Sequence, residues 1–342
     1  LPALLTRYSG WIMAALCLIV FWAEVVFNAY DSPMLTGGIL LTIASGALLF
    51  SAFFERYSWC RYLCPLGALN AIFSMPSILE LRANREMCLN QCSDHVCYRD
   101  TDSSSGCPMY RHPFLVDNNK DCILCGRCIL NCNLRSIELN LRLAPQELWS
   151  LQNVKLSDNF LIISLGAISF LLIFHLEFLA LAEQWARFIP VGEGAGTVIV
   201  GTALFLAVIL VGWGAYMTFA GLQAMVLGEK SRKIASVFGY GLLPLVLGGY
   251  LAYYADMFIN RAWQVVPNIA TLIGWQGEVQ EFQLLAPSAT STFLHIVILG
   301  GMIASGYAIY KICRRLEGEK LHLRHVLLPY VTLFSFSLLY LV

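Results

Sequence analysis

The sequence predicts an all-α integral membrane protein of about seven transmembrane helices, interrupted once by a polar, cysteine-rich insertion. Three observations carry this reading. Of 342 residues, 58% are hydrophobic and 13% charged, with a mean hydropathy of +0.66, whereas a soluble domain averages about 45–50% apolar and about 25% charged residues. Apolar runs of membrane-spanning length recur along the chain, and eight cysteines crowd into the stretch from Cys88 to Cys132. Formal net charge is zero, so no basic field points to nucleic acid.

A hydrocarbon core about 30 Å thick takes about 20 apolar residues per helix. On that ruler the spans are 10–27, 35–54, 159–181, 197–225, 235–254, 293–313 and 326–342. Gly212 and Gly214, flanking Trp213, are where the long fourth span is expected to bend or tilt. The first run is long enough to span, so no cleavable signal peptide is recognised. The chain opens on Leu1 rather than methionine, as expected of one that is processed or lacks an upstream part.

Orientation follows from the basic residues near the span ends. One set of loops carries Arg7, Arg56, Arg61, Arg142, Lys155, Lys230, Arg232, Lys233, Lys311, Arg314, Arg315, Lys320 and Arg324, and the opposite set only Arg187 and Arg261. The amino terminus and the insertion are therefore expected in the cytoplasm and the carboxyl terminus outside, in a multi-pass inner-membrane protein. The expected organisation is two helices in 1–58, a short motif and connector in 59–86, the cysteine domain in 87–145 and five helices in 146–342. Segment 257–288 is too apolar for a free loop and too interrupted to span. It is expected to lie on the outer leaflet, anchored by Trp263 and Trp275, with Phe282, Leu284 and Leu285 dipping into lipid.

Within the insertion, Cys122-x2-Cys125-x2-Cys128-x3-Cys132 has the spacing of a ferredoxin loop. In such a loop three thiolates hold one [4Fe-4S] cluster and the fourth reaches across to a second. The expectation is a bacterial-type two-[4Fe-4S] ferredoxin domain. Cys107, followed by Pro108 as a remote ligand would be, joins Cys122, Cys125 and Cys128; Cys132 closes the other set with Cys88, Cys92 and Cys97. Two structural zinc sites are the competing reading, since four thiolates also suit tetrahedral zinc. Disulfides are disfavoured by a reducing cytoplasm. The run 99–106 reads as a solvated link between the two halves, and 137–143 alternates polar and apolar residues as a short strand does.

Past the second span comes Trp59-Cys60-Arg61-Tyr62-Leu63-Cys64-Pro65. This string resembles the C-x3-C-P motif of the NapH/NosR/MauN-like membrane polyferredoxin family. With the downstream cysteines the resemblance covers roughly 56–135 and the spans around it. It implies a membrane-embedded iron–sulfur protein that passes electrons between the quinone pool and partner redox proteins, catalytic oxidoreductase or cytochrome subunits. Members usually carry two such motifs, and this chain has one. Cys60 and Cys64 therefore stand either as a third redox site, a cluster or a redox-active dithiol that Cys313 could join, or as packing and docking residues. Cys17, mid-span, reads as a small buried apolar residue.

Ionisable groups within spans are functional suspects. Glu24, His175, Glu177 and His295 are the candidates, with Asp256 just past the fifth span. The two histidines fall at comparable depth in the outer half. They would clamp a b-type haem, or with the glutamates receive protons from a quinol, or bond to neighbouring carbonyls. An outer quinol site would lie about a hydrocarbon thickness from the clusters. It therefore calls for an intermediate carrier, or for a quinone bound near the cytoplasmic face beside Trp59, Arg61 and the loop 314–325. His95 and His112 read as solvated or tuning residues. Arg314, Arg315, His322 and His325 form a basic turn suited to lipid phosphate or to an acidic carrier. No Ser/His/Asp set, phosphate loop, dinucleotide fingerprint or C-x-x-C-H haem attachment occurs. The expected function is a non-catalytic electron-transfer subunit. An assembly protein that matures a partner's metal centre, in the manner of NosR, and a zinc-stapled membrane scaffold are the alternatives.

Overall fold

The structure, a computed structural model, describes residues 3–54, 57–101, 104–116, 118–274, 284–318, 322–338 and 340. Arg56, Trp275, Phe282, Lys320 and two residues of the 99–106 run lie outside the described residues. Helices α1 (Ala3–Val26) and α2 (Pro33–Phe53) form the first pair. Ser32 caps α2, its hydroxyl accepting from the Leu35 N–H at 3.4 Å, with Pro33 in the first turn, where a missing N–H costs nothing. Two short helices follow, α3 (Ser58–Tyr62) and α4 (Pro65–Phe73). The insertion comprises β1 (Leu79–Ala83), α5 (Arg85–Asn90), α6 (Arg127–Leu130), β2 (Ile137–Leu141) and α7 (Gln146–Ser150). The chain then re-enters the helical body as α8 (Leu156–Ile173), α9 (His175–Ala186), α10 (Glu193–Leu227), α11 (Ser231–Arg261), α12 (Val265–Leu272), α13 (Pro287–Glu317) and α14 (Leu323–Leu338).

Among the described residues six helices are long and apolar enough to cross a membrane. The expected third span is broken at Phe174, which ends α8 and starts α9 with non-helical backbone (φ −100°, ψ 35°). The expected seventh span is α14, whose 16 residues fall short of the length of the others. The fourth runs unbroken through Gly212 and Gly214 as the 35 residues of α10. The outer segment folds as the end of α11, a 3-10 turn at Ala262–Gln264 and α12.

Helices α8 and α11 form the centre, with α1, α10 and α13 packed around them. Both are buried over most of their length, and α8 is accordingly apolar all round with no single hydrophobic stripe. Pro244 interrupts α11, and the neighbouring Leu245 N–H donates to the Ser305 hydroxyl of α13 at 2.9 Å, keeping the buried backbone satisfied. By contrast α2 buries none of its residues.

The starts of α1, α8, α11 and α14 and the ends of α10 and α13 share the face that carries the insertion. Tyr240 reaches Lys155, Gln223 bonds the His325 carbonyl, and Arg315 donates to the Trp149 and Leu151 carbonyls at 2.8 and 2.6 Å. In the insertion β1 pairs antiparallel with β2, Leu81 opposite Leu139 and Ala83 opposite Ile137. The two strands bracket all eight clustered cysteines, so the folded unit opens at Leu79, ahead of the sequence boundary at residue 87.

One buried guanidinium joins this sheet to its surroundings. Arg142 reaches Glu147 at 2.6 Å, Glu80 at 3.2 Å, and the carbonyls of Met75 and Ser77, each at 2.9 Å. Glu147 is fully buried and also accepts the Asn119 N–H at 2.8 Å. Burial pushes the Glu147 carboxyl up, against the pull of that N–H and of Arg142. Removing one partner of such a pair strands a buried charge. Arg142→Met is therefore expected to cost about 3–5 kcal/mol, read as a lowered thermal unfolding midpoint in detergent. Arg142→Met with Glu147→Leu recovers part of that loss.

Candidate metal centre

The eight cysteines are gathered into two sets of four. Cys97 lies under the electrostatic influence of Cys132, Cys92 and Cys88, and Cys128 under that of Cys122, Cys107 and Cys125. Cys97 also acts electrostatically on Cys128 and shares one small apolar core with it, so the sets are adjacent. They share a small apolar core with Leu81 and Ile137, one residue from each strand. The Cys107 set lines a single cavity, closed by Pro113 and Val116.

Local backbone explains how the sulfurs converge. His95, Leu124 and Arg135 hold left-handed conformations (φ 52°, 51° and 48°), and so does Gly126 at 73°. Such turns aim N–H groups inward. Leu124 N–H donates to Cys122 Sγ at 3.4 Å and Ser136 N–H to Cys132 Sγ at 3.3 Å. The Ser136 hydroxyl also lies 3.4 Å from Cys88 Sγ and 3.3 Å from Cys132 Sγ. The described ends of the 99–106 run form a turn rather than a free link. Arg127 donates to the Ser105 hydroxyl at 2.9 Å and Asn131 to the Ser105 carbonyl at 3.0 Å, tying it to α6.

Electrostatics divides the thiols. Burial and then the neighbouring sulfurs push Cys97 up to about 11 and Cys128 up to about 12. Burial also raises Cys132, but hydrogen bonds from the Ser136 hydroxyl and from the Ser136, Leu134 and Arg135 N–H groups outweigh it and hold this thiol below its ordinary value. Four sulfurs that each oppose the ionisation of the others need shared positive charge before all can be thiolates. The donor set therefore fits an iron–sulfur cluster.

Cys60 and Cys64 lie apart from both sets, thiol against thiol, Cys60 exposed and Cys64 buried. Gly67 allows this turn. A Cβ there would lie 2.1 Å from the Cys60 carbonyl oxygen, so only glycine lets α4 sit against the motif. Trp59 packs on Phe50 of α2, ring centroids 5.1 Å apart. Cys313 does not join the pair; it is buried among residues of α10, α11, α13 and α14 with its sulfur 3.8 Å from the His325 carbonyl. Cys17 is buried in the core.

The structure does not bring the two membrane histidines together. His175 donates to the Val25 carbonyl of α1 at 3.1 Å, whereas His295 is exposed and donates to its own helix at Ser291, 2.6 Å away. Glu24 lies beside Tyr254 of α11, and Glu177 is exposed. His95 and His112 pair ring to ring at 3.2 Å. Sequence reasoning passed over Ser136, Glu80 and Glu147, and also Asp158, which bonds Lys120 and the Tyr240 hydroxyl. The one local signal for Asp158 is an acidic residue in the first turn of a helix.

Residues 36–80 match the family described as a 4Fe-4S binding domain. That stretch holds Cys60 and Cys64 and none of the eight clustered cysteines. The chain is similar to the ferredoxin-type protein NapH of Escherichia coli, 29% identical over 103 residues, 28% of this chain and 36% of that protein. It is also similar to the ferredoxin-type protein NapH of Haemophilus influenzae, 34% identical over 100 residues, 28% of this chain and 33% of that protein. The matches span about a third of the length of these relatives. No solved structure matches. The resemblance to NapH-like polyferredoxins and the helical membrane architecture with an iron–sulfur domain are both borne out.

Gly67 provides a direct check of the motif's geometry. An arsenical that bridges neighbouring thiols is expected to label Cys60 and Cys64 together. Gly67→Ala, by forcing α4 away, is expected to reduce that labelling and to destabilise the protein by about 1–3 kcal/mol, read by mass spectrometry and thermal unfolding.

Proposed function

We propose that this chain is a membrane-bound electron-transfer subunit that holds two [4Fe-4S] clusters and passes electrons between the quinone pool and a partner oxidoreductase. The observation that carries the reading is the sorting of eight cysteines into two adjacent sets of four, in a chain similar to ferredoxin-type proteins. Cys88, Cys92, Cys97 and Cys132 hold one cluster, and Cys107, Cys122, Cys125 and Cys128 the other. Bound there, each supplies reversible one-electron transfer.

The chain's own residues tune and shield these sites. N–H groups at Leu124 and Ser136 and the Ser136 hydroxyl donate to ligand sulfurs, which favours the reduced, more negative state. Leu81, Ile137, Pro113 and Val116 keep water away, lowering the local dielectric. The close approach of Cys97 to Cys128 leaves a short path between the two sets. The basic residues that gather at the ends of the helices on this face support a cytoplasmic cluster domain in a multi-pass inner-membrane protein. His175 and His295, each donating to a backbone carbonyl, support the carbonyl-bonding role over a haem clamp.

Iron and acid-labile sulfide on anaerobically purified protein test the reading. About eight irons per chain are expected, with Cys92→Ser and Cys125→Ser each losing about four and each removing a different low-temperature EPR signal. About twelve irons would make Cys60 and Cys64 ligands of a third cluster. Zinc without iron would overturn the proposal.

A further inference from the structure

Between the helical body and the cysteine domain lies a cavity of about 660 Å³, bounded by α1, the C-x3-C-P segment, the loop that carries Cys122, and the start of α8. Its size is that of a site for a small organic molecule. Met13, Ala71 and Leu161 give it an apolar side continuous with helices of the body, and Arg61, Lys120 and Asp158 give it a charged side toward the cysteine loop. Cys122 forms part of the wall.

We propose that this cavity binds the head group of a quinone. The inference rests on the electron-transfer reading above and gives its membrane substrate a place. The apolar side, continuous with α1 and α8, suits a molecule that reaches the cavity from the membrane. That molecule must also carry polar atoms, because the far side offers a guanidinium, an ammonium and a carboxylate. A quinone ring with its prenyl tail has that division. Lys120 is paired with Asp158 and Arg111 with Asp121 at 3.2 Å, while Arg61 and Lys155 are further cations on the wall, so the test below separates a quinone from a phospholipid phosphate.

The position also removes the distance problem of an outer-side site. A ring in this cavity lies against Cys122, a ligand of the proposed second cluster, with no membrane thickness between. Oxidation of a quinol here gives up two electrons and two protons. The electrons pass singly to the metal sites and on to the partner oxidoreductase, and the protons pass to water beside the exposed Ile123 and Leu124. Reduction of a quinone runs the same balance backwards. The Lys120 to Asp158 to Tyr240 chain, with the Tyr240 hydroxyl donating to Asp158 at 2.7 Å, holds the cysteine loop against α8 and α11 and so fixes the cavity's shape.

The test uses the full chain, purified anaerobically in nanodiscs with its iron–sulfur centres, and a fluorescent hydroxyquinoline N-oxide as quinol analogue. Wild type is expected to quench the probe saturably. Ala71→Trp, which fills the cavity, is expected to weaken binding by about tenfold or more and to abolish reduction of the centres by a naphthoquinol, with dithionite reduction unchanged. Met13→Trp, from the α1 side, gives the same result where Ala71→Trp does not assemble. Unchanged probe binding in both variants overturns the site. Loss of a co-purifying phospholipid with probe binding intact assigns the cavity to a lipid and also overturns it. If dithionite elicits no iron–sulfur signal, the electron-transfer reading fails instead, and probe binding alone then decides whether the cavity takes a quinone.

Discussion

The Arg142 guanidinium is the constraint on which the cysteine-bearing face depends. It is buried with Glu147 and Glu80, and Arg82 pairs with Glu80 at 2.9 Å, so two positive and two negative charges share one region and cancel. Taking such charges out of water is expensive, and most, though not all, of their hydrogen-bonding groups find partners: Glu147 Oε1 is buried without one. Arg142 meets carbonyls at the end of α4, and Glu147 takes the Asn119 N–H. The Asn119 side chain in turn donates to the Leu79 carbonyl at 2.7 Å. Asn119 stands three residues before Cys122, so the same network that closes the sheet sets where the cysteine loop begins.

From there order spreads in two directions. Toward the body, Lys120 meets Asp158, and Arg315 grips the carbonyls that follow α7, so a soluble-type domain is clamped to the ends of apolar helices by a few charged contacts. Toward the cysteines, backbone N–H groups in left-handed turns meet ligand sulfurs and lower the cost of thiolate charge. Cys132, with the most such donors, is held below its ordinary pKa, while Cys97 and Cys128, pressed against other sulfurs, are held above it.

The C-x3-C-P segment is held by packing. Gly67 removes the side chain that would keep α4 from Cys60, and Trp59 lodges against α2. The segment is fastened to the rest of the chain through α1, α2 and α4 alike, although α2 buries none of its own residues. The joint between this segment, α1 and the Cys122 loop is not filled by side chains, and so a partly open cavity remains where membrane helices and cysteine domain meet.

Composition and cysteine spacing were sufficient to predict a helical membrane protein with an iron–sulfur insertion, because span length and the reach of thiolates are local quantities. What the sequence could not show was contact between distant segments. Leu79 to Ala83 alternates apolar and polar residues as a strand does, but by itself it reads as part of a connector, because its partner β2 lies more than fifty residues later. The break at Phe174 comes just before His175 and Glu177 in an otherwise apolar run, and the fate of His175 and His295 turned on which carbonyl each ring met. Asp158 and Glu147 looked like ordinary acidic residues near helix starts until the fold buried them. Periodicity and ligand spacing are written along the chain, whereas burial, ion pairing and the shape of a cavity exist only once separate parts of it have been brought together.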